Sequence, residues 1–106
     1  PWNRDRDQWP QFRTKGADFM LGKCEGFIKY VSERGVRPVL CFYIHPWEFE
    51  EMPRGAIDYG EASVKPLDFI TLNCGEVACQ EMDKLLGGMM AMGGEVKTAA
   101  QVAAEY

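Results

Sequence analysis

The sequence predicts an α/β fold with parallel strands, and two stretches carry that prediction. Residues 38 to 44, Pro38-Val39-Leu40-Cys41-Phe42-Tyr43-Ile44, form an apolar run with no polar alternation, the pattern of a strand covered on both faces. Ahead of it, residues 18 to 34 place apolar side chains at 20, 24, 27, 28 and 31, which is one face of a helix closed by Gly35. Helix, short turn and strand together make the αβ half of a repeating β/α unit.

Taken in order, residues 1 to 17 read as an irregular N-terminal segment, with Arg4, Asp5, Arg6 and Asp7 between Trp2 and Trp9. It is either a carbohydrate-stacking loop or a solvated segment whose tryptophans pack onto the rest of the protein, the commoner use of such side chains. The helix of residues 18 to 34 is expected to lie across the sheet face. The strand of residues 38 to 44 should end at His45, because Pro46 lacks a ladder N–H and pushes the residue before it toward extended geometry. Catalytic side chains gather at the carboxyl ends of parallel strands. His45, the single histidine, is therefore the candidate catalytic residue, with Tyr43, Trp47 and Phe49 as candidate substrate-binding walls. The competing reading makes His45 a strand-end residue bonded to a backbone carbonyl, with Trp47 and Phe49 capping the core.

From Pro46 to Pro66 the chain is polar and too long for an ordinary turn, with three prolines and two glycines. Glu48, Glu50, Glu51, Asp58 and Glu61 there read as solvated surface in preference to ligands for a hard cation. Residues 67 to 72 form the second expected strand; the first is expected to pair in parallel with it or with a strand from outside this segment. Asn73 followed by Glu76 has the form of a capping box, predicting a helix through Leu86 that weakens at Gly87-Gly88. Its stripe is 74, 78, 82, 85, 86 and 89, and Met89, Met90 and Met92 at its end either line an adaptable binding surface or, the commoner use, fill core. Thr98 and Gln101 repeat the capping pattern before a final helix over residues 99 to 106.

With 106 residues, 46% of them hydrophobic, and a net charge of −4, the chain can form one small domain. Scattered lysines and arginines predict no nucleic-acid partner, and no apolar stretch approaches the roughly 18 residues of a membrane span. Of the four cysteines, Cys41 is expected inside the buried strand and Cys24 on the apolar helix face, where thiols act as small hydrophobes. The spacing of Cys74 and Cys79 offers no second pair for zinc. Reduced thiols fit a cytoplasmic setting better than an oxidising one, with a cell-envelope location left open. The chain begins at Pro1 without an initiator methionine, which fits a processed, truncated or partly sequenced product.

The stretch Arg37 to Phe49, with its Ile44-His45-Pro46-Trp47-Glu48 core, resembles the last catalytic motif of the polysaccharide deacetylases, the NodB-homology or carbohydrate esterase four family. Asn73-Cys74-Gly75, the following helix, Val96-Lys97-Thr98 and the final helix are similar to the close of such a domain. The resemblance covers roughly residues 35 to 106 and implies the C-terminal portion of a distorted (β/α) barrel with parallel strands. It also implies hydrolysis of N-acetyl groups on amino sugars of a polysaccharide, with His45 as general acid protonating the leaving nitrogen. Zinc or a similar divalent metal would polarise the carbonyl. Its Asp-His-His ligands are not available in a chain with one histidine, so no metal ligand is assigned here. The remaining N-terminal part of the catalytic domain is then the expected partner. A non-catalytic carbohydrate-binding or interaction module retaining the deacetylase frame is the alternative.

Overall fold

The computed structural model describes residues 10 to 106. The expectations placed on Trp2, Arg4, Asp5, Arg6, Asp7 and Trp9 lie outside the described residues. Two long helices dominate. Helix α1 (Gln11–Thr14) is a single turn, α2 runs Ala17–Ser32, a 3₁₀ turn spans Pro46–Phe49, β1 is Ile57–Asp58 and β2 is Ser63–Val64. Helix α3 (Asp68–Thr71) is another single turn, α4 runs Glu76–Ala91 and α5 is Ala99–Ala104.

The core forms where α1, α2 and α4 meet. Phe12 from α1, Ala17 and Met20 from α2, and Ala78 and Leu85 from α4 are buried together, with Leu21, Phe42, Phe49, Met82 and Met89 packed around them. The 3.6-residue period selects these positions on each helix. Helix α2 starts at Gly16, whose φ of 93° is open to glycine. Its first N–H, at Ala17, has no partner within the helix and donates to Glu81 Oε2 of α4 at 2.8 Å. That carboxylate satisfies an orphan donor and sits against the positive end of the helix dipole.

The expected helix over residues 18 to 34 is present as α2, with Met20 and Cys24 buried as its period requires. Farther along that stripe Phe27 is exposed, while Ile28 and Val31 are partly buried. Helix α4 continues past Gly87-Gly88 to Ala91. Gly88 is the point of close approach, since a Cβ there would meet Leu21 Cδ1 at 2.5 Å, whereas Gly87 faces open space. Thr98 and Gln101 form the expected capping box on α5, with Gln101 N donating to Thr98 Oγ1 at 3.2 Å.

Several expectations are corrected. The only sheet among the described residues is two-stranded and antiparallel, pairing Ile57 with Val64 and Asp58 with Ser63. An α/β fold built as the C-terminal portion of a (β/α) barrel with parallel strands is therefore not what these residues adopt. Residues 38 to 44 carry no strand, and Val39, Tyr43 and Ile44 are exposed. A strand exists only through a ladder to a neighbour, and the second expected strand is not there to supply one. Helix α2 packs against α1 and α4 in place of a sheet face. Cys41 is exposed, while Cys24 is buried and its thiol is pushed up by desolvation.

Within residues 67 to 72 the chain turns into α3 in place of a strand, and one cation gathers two of its carbonyls. Arg13 Nη1 donates to Phe69 O at 3.1 Å and to Leu72 O. Carbonyls three residues apart converge in a helical turn, whereas in a strand they lie about 10 Å apart at 3.3 Å per residue. Asn73 is not the cap of α4. It takes φ of 58°, tolerable for asparagine, and its Nδ2 donates to Arg13 O at 2.8 Å. Gly75 is the N-cap residue, without a side-chain bond. The long loop of residues 46 to 66 resolves into the 3₁₀ turn and the β1–β2 hairpin, closed by Tyr59 N to Ala62 O and by Gly60 N to Asp58 Oδ1, both 2.8 Å.

Candidate functional site

Pro46 shapes the local geometry first. His45 takes extended φ and ψ of −116° and 139°, and Pro46 opens the 3₁₀ turn as its N1 residue, where a missing N–H costs nothing. The turn then folds Glu48 back onto His45. Glu48 Oε2 accepts the His45 backbone N–H at 2.7 Å and lies 3.3 Å from His45 Nδ1. The other ring nitrogen, Nε2, is 2.9 Å from the Tyr43 hydroxyl. The imidazole stacks on Trp47 with centroids 5.1 Å apart, and meets the Tyr43 ring edge-on at 4.7 Å.

Beneath this aromatic row is a fully buried ion pair. Arg13 Nε donates to Glu48 Oε1 at 2.7 Å, with neither side chain exposed to solvent. The guanidinium lies 5.7 Å from the Trp47 ring centroid, within reach of a cation–π attraction. Its Nη2 is buried without a hydrogen-bond partner. Gly75 completes the corner: its N–H donates to Glu48 O at 2.9 Å, and a Cβ there would stand 3.2 Å from Glu51 N.

Of the residues singled out from sequence, His45, Tyr43 and Trp47 come together. Phe49 turns the other way, toward the core, with its ring 6.0 Å from Phe12. Arg13 was hidden in a segment read as irregular, and Glu48 had been read as surface. The available signal for Glu48 was its position three residues after His45, the spacing of a capping box, which the 3₁₀ turn forms. No local pattern marked Arg13.

Among the described residues no group of three or more His, Cys, Asp or Glu is placed to hold a metal ion. Nor is any helix among the described residues long and apolar enough to cross a membrane. Comparison with family models, with curated proteins and with solved structures finds no match to this chain.

Proposed function

We propose that this chain supplies the acid corner of a polysaccharide deacetylase that hydrolyses N-acetyl groups of amino sugars, with His45 as the general acid. The observation that carries the reading is the setting of the lone histidine. Its Nδ1 faces a carboxylate that is itself anchored, and its other nitrogen sits with an exposed tyrosine hydroxyl at the surface. Amide cleavage needs such a group, because the tetrahedral intermediate collapses toward products only when the leaving nitrogen receives a proton. Trp47 and Tyr43 flank the ring. The metal that the sequence resemblance implies has no ligand set among the described residues, so no step here runs through it. It belongs to the remaining N-terminal part of the catalytic domain, which with the polysaccharide is the partner this reading requires.

The test is acetate release from N-acetylated amino-sugar oligosaccharides by the enzyme containing this chain. His45→Ala is expected to lower turnover about 10²–10⁴-fold, the usual worth of a positioned acid, with metal content unchanged. Near-normal turnover reduces His45 to a structural residue; loss of metal makes it a ligand.

The row Tyr43, His45, Trp47 favours a second reading, a carbohydrate-binding module without catalysis. Oligosaccharide binding that survives His45→Ala but fails in Trp47→Ala, with no acetate released, selects it.

A further inference from the structure

Arg13 is the largest fully buried side chain among the described residues, and its bonds lead through Glu48 to the histidine. Its Nη1 is held by carbonyls at both ends of α3, and its Nε holds Glu48 Oε1. With one oxygen bound this way, only Oε2 of Glu48 is left to face His45, where the backbone N–H and the ring nitrogen Nδ1 share it. A carboxylate accepts hydrogen bonds and donates none. The bond at Nδ1 therefore requires the proton to be on Nδ1, leaving the lone pair on Nε2 to accept from the Tyr43 hydroxyl.

We infer that Arg13 and Glu48 are positioning residues that hold neutral His45 in the Nδ1–H tautomer, making Nε2 the nitrogen that exchanges protons with a ligand. The inference rests on the acid role proposed above and specifies it. The doubly protonated ring gives its Nε2 proton to the leaving nitrogen. A new N–H bond forms as the carbon–nitrogen bond breaks, and the bonding pair stays on nitrogen as a free amine. The ring remains neutral with its proton on Nδ1, and Nε2 takes a fresh proton from solvent. Arg13 acts only through Glu48: by fixing the carboxylate, it prevents the rotation that would release the ring. A loose Glu48 would let both tautomers form.

A single histidine makes the test direct, since the imidazole ¹⁵N spectrum of the chain contains one ring. At alkaline pH, where the ring is neutral, the protonated nitrogen is expected to be Nδ1. A wild-type ring protonated on Nε2 overturns the inference, even if no variant folds. In Glu48→Ala, the acceptor that holds the Nδ1 proton is gone. The ring should then lose its Nδ1–H preference, and a ring that stays Nδ1–H overturns the inference. Arg13→Lys should give a mixture of tautomers, whereas Tyr43→Phe should leave Nδ1 protonated. Loss of the Nδ1–H form in Tyr43→Phe would show that the tyrosine, and not Glu48, selects the tautomer. None of these readouts needs turnover, so an inactive enzyme with the Nδ1–H ring defeats the deacetylase reading alone, and an active one with the Nε2–H ring defeats the positioning role alone.

Discussion

Two ion pairs of nearly equal length sit in opposite surroundings. Arg13 and Glu48 meet at 2.7 Å with both side chains fully buried, while Arg37 and Glu105 meet at 2.6 Å with the arginine half exposed. Glu105 also receives Lys97 at 2.6 Å, and Lys97 reaches Glu95 at 2.9 Å. Distance alone would rank the two sites as equals. Water separates them: an exposed pair exchanges one well-solvated state for another and contributes about 0–1 kcal/mol in general, whereas either member of a buried pair, left alone, is a charge without solvent.

The largest expected effect is therefore at the buried pair. Arg13→Met should cost about 3–5 kcal/mol by denaturant unfolding, because Glu48 is left charged and dry. Adding Glu48→Leu to it should recover much of that loss. A cost under about 1 kcal/mol for the single variant would place the buried pair in the same regime as an exposed one and dissolve the contrast.

Next comes the glycine that closes the buried corner. Gly75→Ala should destabilise by about 1–3 kcal/mol, since φ is 84° and the added Cβ would press on the backbone of Glu51. Its far-UV spectrum should be unchanged, because only the junction of α4 with the 3₁₀ turn is strained.

On the open side of α4 the sign should reverse. Gly87→Ala is expected to raise stability by about 0.5–1 kcal/mol, the helix penalty of glycine, because nothing stands within 4 Å of the new methyl group. Gly88→Ala should not, since Leu21 must move aside. Equal gains at both positions would mean that α2 and α4 do not meet at Gly88.

The smallest effect belongs to the exposed cluster and depends on pH. Hydrogen bonds from Lys97 and then Arg37 hold the Glu105 carboxyl below its ordinary value. A lowered carboxyl contributes stability that is present above the unfolded value, about 4.3 for glutamate, and is lost as pH falls through the folded one. Amides of α5 should lose protection, measured against their intrinsic exchange rates, in acid, and added salt should do the same near neutrality. Lys97 and Arg37 are raised, so their contribution is lost only when pH rises through their folded values. An acid-insensitive α5 would leave that helix held by its Thr98–Gln101 cap and not by charge.

What was legible in the sequence is what neighbours along the chain decide. The spacing of Met20 and Cys24, and of Ala78 and Leu85, marks the buried faces of α2 and α4 because a helix brings residues three and four apart onto one side. Thr98 and Gln101 cap α5 because both partners lie within one turn. Pro46 holds His45 extended through a clash between adjacent residues. Within the candidate site, this local logic brings His45 beside Trp47 and accounts for the turn that returns Glu48 to His45.

Tertiary structure decided the rest, for reasons no window of sequence contains. The apolar run of residues 38 to 44 has strand composition, but a strand is a relation to a neighbour, and residues 67 to 72 instead curl into α3 around Arg13. That arginine lies 35 residues from Glu48 and more than 50 from the carbonyls of Phe69 and Leu72. Arg13 among the charges near the start of the chain looks like any solvated cation. Only folding removes its water, and a guanidinium without water must find oxygens wherever the packed chain brings them.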